Sequence, residues 1–283
     1  MTRRIACALI VHLFAAVGTV AFSHSVSAGP IPDKNLEAVV RSVIFEKKDK
    51  TDELTDEDLK KVFILKGKGK GIKDLAGLEK CTNLAELDLS KNEIVDVGPL
   101  KDLKNLQSLD LSSNKIVDVA PLGNILALQF LELSNNEIAS VEPLGKLVKL
   151  SALRLAGNKI TDPAPLSPLE KLSSLDLAKN QITDISGLKN ADRLSLLKLS
   201  DNQISDLSPL SKPLSVNLLM LERNKITDLS PLVAAVKADA EGEKRFAPFL
   251  RLYLADNPLS EPAKTQQIEA LKAAGVKIDP KSN

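Results

Sequence analysis

Residues Leu84 to Leu100 read LAELDLSKNEIVDVGPL, and this stretch decides the fold of a chain of 283 residues. Its asparagine, Asn92, recurs six more times at intervals of 22 residues and once more after 33 residues. The surrounding leucines and isoleucine return in the same phase, as in LQSLDLSSNKIVDVAPL around Asn114 and LSSLDLAKNQITDISGL around Asn180. A period of this length, kept over many copies, is typical of a solenoid in which each copy forms one coil.

Around each asparagine the pattern separates inward from outward positions. Leu87 and Leu89 alternate with Glu86 and Asp88, as expected for a short strand with one buried face. The chain must then turn inside a crowded coil, where its backbone N–H and C=O groups lack strand partners. An asparagine side chain offers donors and an acceptor to such groups. We therefore predict a structural asparagine ladder made of Asn92, Asn114, Asn136, Asn158, Asn180, Asn202, Asn224 and Asn257.

The second half of each repeat predicts a helical or 3₁₀ turn on the outer side of the coil. Most copies carry an aspartate followed by Pro-Leu, as in Asp96 with Pro99 and Leu100. Proline fixes φ and needs no N–H partner, so it suits the first turn of a helix. The row of aspartates could indicate a calcium ladder, but the sequence has no Gly-Gly-x-Gly-x-Asp repeats. We expect the aspartates to cap the turns instead.

Residues 1–28 differ in character from the repeats. They contain Arg3 and Arg4, then an apolar run, then small residues that end at Ala28, which predicts a signal peptide. We therefore expect a periplasmic or secreted protein. No second long apolar run follows, so we expect no membrane span in the mature chain. Without residues 1–28 the 38 basic residues lose two and the 37 acidic residues none, which leaves a net charge of −1. This charge does not favour binding to nucleic acid.

The remaining chain divides into a solenoid and two lids. Residues 29–63 predict a helical N-terminal cap, and residues 260–283 predict a C-terminal cap with a helix. Residues 64–259 hold the repeats, with an insertion near 233–248. In the N-terminal cap, Asp33 and Thr55 are expected to begin two helices. The buried face of the first helix is predicted to consist of Leu36, Val39, Val40 and Val43.

The distribution of reactive residues argues against catalysis. Both histidines, His12 and His24, and one of the two cysteines, Cys7, lie in the predicted signal peptide. Histidine-based triads, zinc sites and an intramolecular disulfide are therefore not expected. The other cysteine, Cys81, is in phase with Leu103 and is predicted to be a core residue rather than a reactive thiol. We predict no catalytic residues, no metal and no cofactor.

The repeat L-x-x-L-x-L-x-x-N-x-I-x-D-h-x-P-L, in which h is apolar, resembles that of the internalin type of bacterial leucine-rich repeat protein. The resemblance implies an α/β solenoid, a right-handed leucine-rich repeat horseshoe. Its concave side would be a parallel β-sheet, its convex side 3₁₀ or helical, and its ends would carry helical caps. It also implies that the concave sheet binds proteins without catalysis. We expect the chain to be a monomer.

Because leucines and asparagines are committed to the core, a partner can be recognised only through the variable strand positions. Five apolar side chains there are predicted to be exposed, and four of them lie in the last third of the repeats. Such clustering usually marks a contact surface. The alternative is that the insertion or the C-terminal cap covers them. The predicted partner-binding residues on the concave face are Phe130, Arg154, Leu196, Lys198, Leu218, Met220, Arg251 and Tyr253.

Three functions are compatible with this pattern. The leading hypothesis is an exported scaffold that binds a protein partner of unknown identity. A structural or adhesive envelope component would have the same fold and differ only in its partner. A polysaccharide-active enzyme could use paired carboxylates from the file Asp88, Asp110 and Glu132, since adjacent strands lie ~4.8 Å apart. The shallow, open face makes the enzyme the least favoured of the three.

Overall fold

The computed structural model describes residues 29–48, 50–188, 193–212, 215–242 and 247–279. The predicted signal peptide, residues 1–28, lies outside these ranges, as do residues 243–246 of the predicted insertion.

A single open parallel sheet runs through the described residues, with its ten strands in sequence order. Each strand pairs with the equivalent positions of the next coil, so that Leu87 lies opposite Leu109 and Leu109 opposite Leu131. The central leucine of each three-residue strand is buried. The predicted leucine-rich repeat solenoid is confirmed. The strands are β1 Ile64–Lys66, β2 Glu86–Asp88, β3 Ser108–Asp110, β4 Phe130–Glu132, β5 Ala152–Arg154, β6 Ser174–Asp176, β7 Leu196–Lys198, β8 Leu218–Met220, β9 Arg251–Tyr253 and β10 Lys277–Ile278.

Short 3₁₀ turns form the convex side, as predicted. Pro99 stands in the first turn of Gly98–Leu100, and its counterparts do so in other coils. The backbone N–H of Gly98 donates to Asp96 Oδ1 at 2.7 Å, and the same bond recurs at Asp118, Asp162, Asp184 and Asp206. The aspartate row therefore caps the turns. The turns are Leu78–Lys80, Gly98–Leu100, Ala120–Asn124, Glu142–Lys146, Ala164–Leu166, Ser186–Leu188 and Ser208–Leu210.

Each asparagine of the ladder joins two successive coils. Asn158 Nδ2 donates to the carbonyls of Leu155 in its own coil and Leu133 in the preceding coil, at 2.9 and 3.0 Å. Its Oδ1 accepts the N–H of Ile138, also in the preceding coil, at 3.0 Å. The first coil has Lys70 in place of asparagine, and there Asn92 accepts the N–H groups of Lys70 and Ile72. The described asparagines of the ladder are buried except Asn257, which is partly buried.

The buried column that follows each 3₁₀ turn includes Cys81, whose side chain is fully buried. Burial raises the pKa of its thiol to about 12, with a smaller contribution from the charge of Glu79. A thiol with so high a pKa is almost entirely protonated at neutral pH, and the thiolate is the reactive form. Cys81 is therefore the core residue that the sequence predicts.

The N-terminal cap consists of α1, Lys34–Val43, and α2, Asp56–Leu59, with the 3₁₀ turn Phe45–Lys47 between them. Asp33 caps α1 and also accepts the N–H of Lys73 at 2.8 Å, which ties the cap to the first coil. Leu36, Val39 and Val40 are buried, as predicted. The prediction for Val43 is wrong: this side chain is 45% exposed because the helix ends there, beyond the first coil that covers its preceding turns.

At the start of α2, Thr55 and Asp58 form a reciprocal capping box. Asp58 Oδ2 accepts the backbone N–H of Thr55 at 3.0 Å and the Thr55 hydroxyl at 2.8 Å. The backbone hydrogen bond is the main cause that lowers the pKa of Asp58 to about 2, with a further contribution from Lys47. The ionised carboxylate thus stabilises the fold.

Replacing Asp58 with alanine is expected to lower the free energy of unfolding by about 2 kcal/mol at pH 7. The folded pKa lies below the unfolded one, so the contribution is complete above about pH 4 and disappears as the pH falls through about 2. The deficit of the variant should therefore shrink over that range in urea titrations. Glu57→Ala is the control, because Glu57 is exposed and, among the described residues, forms an ion pair with Lys60 alone. A deficit that stays constant from pH 7 to pH 2.5 would contradict this role.

The insertion and the C-terminal cap thicken the end of the solenoid. The insertion lengthens a convex turn into α3, Ser230–Glu241, which packs against the turn Ser208–Leu210 of the preceding coil. The cap contains a π-helical segment, Ala263–Gln267, that continues as α4, Ile268–Ala273, with Ile268 and Leu271 buried as predicted. The chain then adds β10 beside β9.

Candidate functional site

Two columns of side chains cover the concave sheet, one from the first and one from the third residue of each strand. The central residues point into the core, so these columns form the only sheet surface in the described strands that can meet a partner. Sequence reasoning missed the two ends of this surface, Ile64 and Lys66 on β1 and Lys277 at β10. For β1 the sequence contains a signal, because the spacing of the leucines continues into this strand. For β10 it contains little signal, because the strand has only two residues.

The five apolar side chains predicted to be exposed are partly buried. The cause is the close spacing of the strands, because large side chains in neighbouring strands shield one another. Leu196 lies opposite Leu218, and Met220 lies opposite Tyr253. These four residues form one contiguous surface, which we call the C-terminal patch. Phe130 lies apart from it, on β4.

The described helices lie away from the C-terminal patch. Helix α3 packs against the convex turn Ser208–Leu210, against α4 and against the turn Ala247–Phe249. Since the convex turns lie on the opposite side of each coil from the strands, α3 packs on the side away from Leu218 and Met220.

At the centre of the concave face, Phe130, Glu132 and Arg154 form a packed group. The Arg154 guanidinium lies over the Phe130 ring, 5.3 Å from its centroid, and Nη1 is 3.4 Å from Glu132 Oε2. Glu132 Oε1 also accepts the N–H of Ser134 at 2.9 Å. The guanidinium is held between a ring and a carboxylate, which presents its remaining donors in a fixed direction.

Two further ion pairs join neighbouring strands on this face. Lys66 pairs with Glu86 at 2.8 Å, and Lys198 pairs with Asp176 at 3.1 Å. At the C-terminal end, Arg251 and Lys277 lie side by side in register. Together with Tyr253, Ile278 and Asp279 they line a depression of about 440 Å³ that adjoins the C-terminal patch. Apolar and basic groups therefore meet at this end of the sheet.

The acidic file that could suggest an enzyme has a structural role. Asp88 accepts the backbone N–H of Ser90 at 2.9 Å and its hydroxyl at 2.7 Å. Asp110 does the same with Ser112. These carboxylates cap the turn after each strand, as Asx-type bonds commonly do. Among the described residues, no cluster of three or more His, Cys, Asp or Glu side chains could hold a metal ion.

Nor does the described part of the chain contain a helix that is long and apolar enough to cross a membrane.

Comparisons with known proteins agree with this architecture. A family model described as leucine-rich repeats in two copies matches residues 82–124, 127–168, 149–190 and 170–212. Internalin InlF from Listeria monocytogenes shares 30% sequence identity with the chain, and its crystal structure superposes on this one with a TM-score of 0.67. The match covers 88% of this chain and 75% of InlF. The chain belongs to the internalin family.

A second internalin, InlC2 of Listeria monocytogenes, is 27% identical over 88% of this internalin-type chain and 95% of InlC2, with a TM-score of 0.65. A leucine-rich repeat protein of Leptospira interrogans is 24% identical over 72% of the chain and 50% of that protein, with a TM-score of 0.61. At that identity the likeness shows the fold alone. No curated protein matches the sequence.

Proposed function

We propose that this internalin-type chain is an exported, non-catalytic scaffold whose concave sheet binds a protein partner. The observation that carries the proposal is the C-terminal patch, in which Leu196, Leu218, Met220 and Tyr253 adjoin on a sheet whose other outward positions are mostly polar. A sheet that only faced solvent would carry polar residues throughout. Large apolar and aromatic side chains at the centre of an interface are the ones that tend to dominate binding energy.

The charges around the patch support a partner of mixed character. Arg251 and Lys277 offer two cations beside the apolar side chains, while Arg154 is aligned by Phe130 and Glu132 nearer the middle of the sheet. A partner segment that places apolar side chains on the patch and a carboxylate near Arg251 would complement this surface. Charges in such positions set orientation and association rate more than affinity.

Export is part of the proposal and depends on the sequence of residues 1–28. A basic start, an apolar run and small residues before Gly29 would direct the chain out of the cytoplasm. The partner is then a periplasmic, secreted or surface-exposed protein, bound by a monomeric scaffold.

The test starts by capturing the partner from an envelope extract with the immobilised protein and measuring its affinity by calorimetry. The triple variant Leu218→Ser, Met220→Ser, Tyr253→Ser should then bind about 100-fold more weakly, because it removes the apolar anchors. Its melting temperature should stay within a few degrees, since the side chains are only partly buried.

The matched control is Glu86→Ser, Asp88→Ser, Asp110→Ser, which makes as many changes in the same two columns at the other end of the sheet. We expect it to retain affinity within about threefold. If the control loses binding and the patch variant does not, the partner binds the acidic strands. If the patch variant unfolds, the patch is structural, and the proposal fails.

A further inference from the structure

A second surface lies on the outside of the solenoid, where the chain leaves two convex turns and returns toward the sheet. Leu126, Ala127 and Val148 line a groove of about 450 Å³ there. Lys104, Lys146 and Lys149 form its rim together with Asn124. The groove is remote from the concave columns, because these residues precede β4 and β5 on the flank of each coil.

The apolar floor of this groove departs from the repeat. Leu126 and Val148 occupy equivalent positions in adjacent coils and are 57% and 52% exposed. The same position holds Lys104 in the preceding coil and Glu170 in the next, so the fold requires no apolar side chain here. Two exposed apolar side chains side by side form a small patch, and exposed apolar patches commonly mark contact sites.

The lysines on the rim carry charge that no neighbouring carboxylate of the described residues offsets. Some other lysines of the repeats are neutralised across neighbouring coils, as Lys115 is by Glu93 at 3.0 Å and Lys159 by Glu137 at 2.9 Å. In the described part of the chain, Lys104, Lys146 and Lys149 form no ion pair. Three unpaired cations around an apolar floor make a surface that attracts an anion with an apolar portion.

Two 3₁₀ turns directly precede the floor of the groove. The turns Ala120–Asn124 and Glu142–Lys146 each have five residues, whereas the other repeat turns in the described coils have three. Their last residues, Asn124 and Lys146, lie at the rim.

We propose that this groove binds a short acidic segment of a protein, with one or two apolar side chains on Leu126 and Val148 and flanking carboxylates beside the three lysines. Two apolar side chains among three lysines make a small surface, which suits a short peptide better than the broad surface of an anionic bilayer. The Asp102 and Glu170 carboxylates, in the preceding and following coils, would also repel a broad anionic surface. The site is independent of the concave face, so the chain could hold two partners at once.

The probe is a fluorescein-labelled octapeptide with two central leucines flanked on each side by three glutamates, studied by fluorescence anisotropy with the full chain. We expect binding that weakens as salt rises from 50 to 300 mM, since the contacts are largely electrostatic. The double variant Leu126→Ser, Val148→Ser should lose at least tenfold in affinity. The triple variant Lys104→Glu, Lys146→Glu, Lys149→Glu should lose at least as much.

The matched control is Val95→Ser, Val117→Ser, a pair from adjacent coils that is 56% exposed at both positions and whose neighbour Lys115 is already paired. It should leave affinity within twofold. Circular dichroism melts check that all variants fold. The proposal is overturned if the peptide does not bind at 1 mM, if the control loses as much as the groove variant, or if phosphatidylglycerol vesicles bind through these residues and the peptide does not.

Discussion

The variant Asn158→Ala should lose about 3 to 5 kcal/mol of its free energy of unfolding, measured in urea at pH 7. The change removes three hydrogen bonds inside the coil, to the carbonyls of Leu133 and Leu155 and from the N–H of Ile138. Alanine cannot replace any of them, and water has little access because Asn158 is 8% exposed. Each buried group left unpaired costs ~1–3 kcal/mol.

The control for this experiment is the same change at an exposed asparagine. Asn105 donates only to the carbonyl of Thr82, at 2.9 Å on the surface, where water can take its place. Asn105→Ala should change stability by less than about 0.5 kcal/mol. Equal losses in the two variants would show that the ladder does not stabilise the core.

The variant Gly77→Ala should lose about 3 kcal/mol. Gly77 has φ of 95°, a conformation that costs other residues ~1–2 kcal/mol. A Cβ there would also stand 2.1 Å from the carbonyl oxygen of Pro30 and 2.9 Å from Ile31 Cγ1. The N-terminal cap would have to move away, which would expose Ile31, a fully buried residue. Amide hydrogen exchange should accelerate most in α1, and the acceleration should become smaller along the repeats.

Gly98→Ala provides the comparison in the turn of the next coil. Its Cβ would meet only the Asp96 side chain, 2.9 Å away, which can rotate, and Gly98 has no positive φ. We expect a loss of less than about 1 kcal/mol. If Gly98→Ala destabilised the protein as much as Gly77→Ala, the contact with Pro30 could not be the cause.

The repeat made the solenoid predictable, because each coil has the same strand, turn and buried positions and contacts mainly its neighbours. The inward leucines and the capping aspartates followed from alternation and from turn chemistry alone. The residue before each ladder asparagine was not predictable in this way: Lys91, Ser113 and Lys179 have φ near 57°, although their side chains favour negative φ. Coil closure imposes that conformation, and only half of the copies, with Asn135, Gly157, Asp201 and Asp256, carry residue types that favour it.

The candidate sites were predictable in part. The two concave columns follow from the strand phase, so the residues of the C-terminal patch could be named from the sequence. Their partial burial could not, because it depends on how neighbouring strands shield each other. The stacking of Arg154 on Phe130 and the groove at Leu126 likewise depend on distances between coils. A signal for the groove existed in the sequence, namely two apolar residues at a position that is elsewhere charged.

The asparagine ladder allows a protein of this kind to lose or gain whole coils. The ladder bonds between coils join each asparagine to the same atoms of the coil before it, so removing one whole period, such as residues 115–136, would reunite atoms that already match. The acidic strands and the C-terminal patch would then approach by one strand spacing, ~4.8 Å. The number of coils thus sets the distance between two contact surfaces in fixed steps. The side chains of both surfaces stay the same.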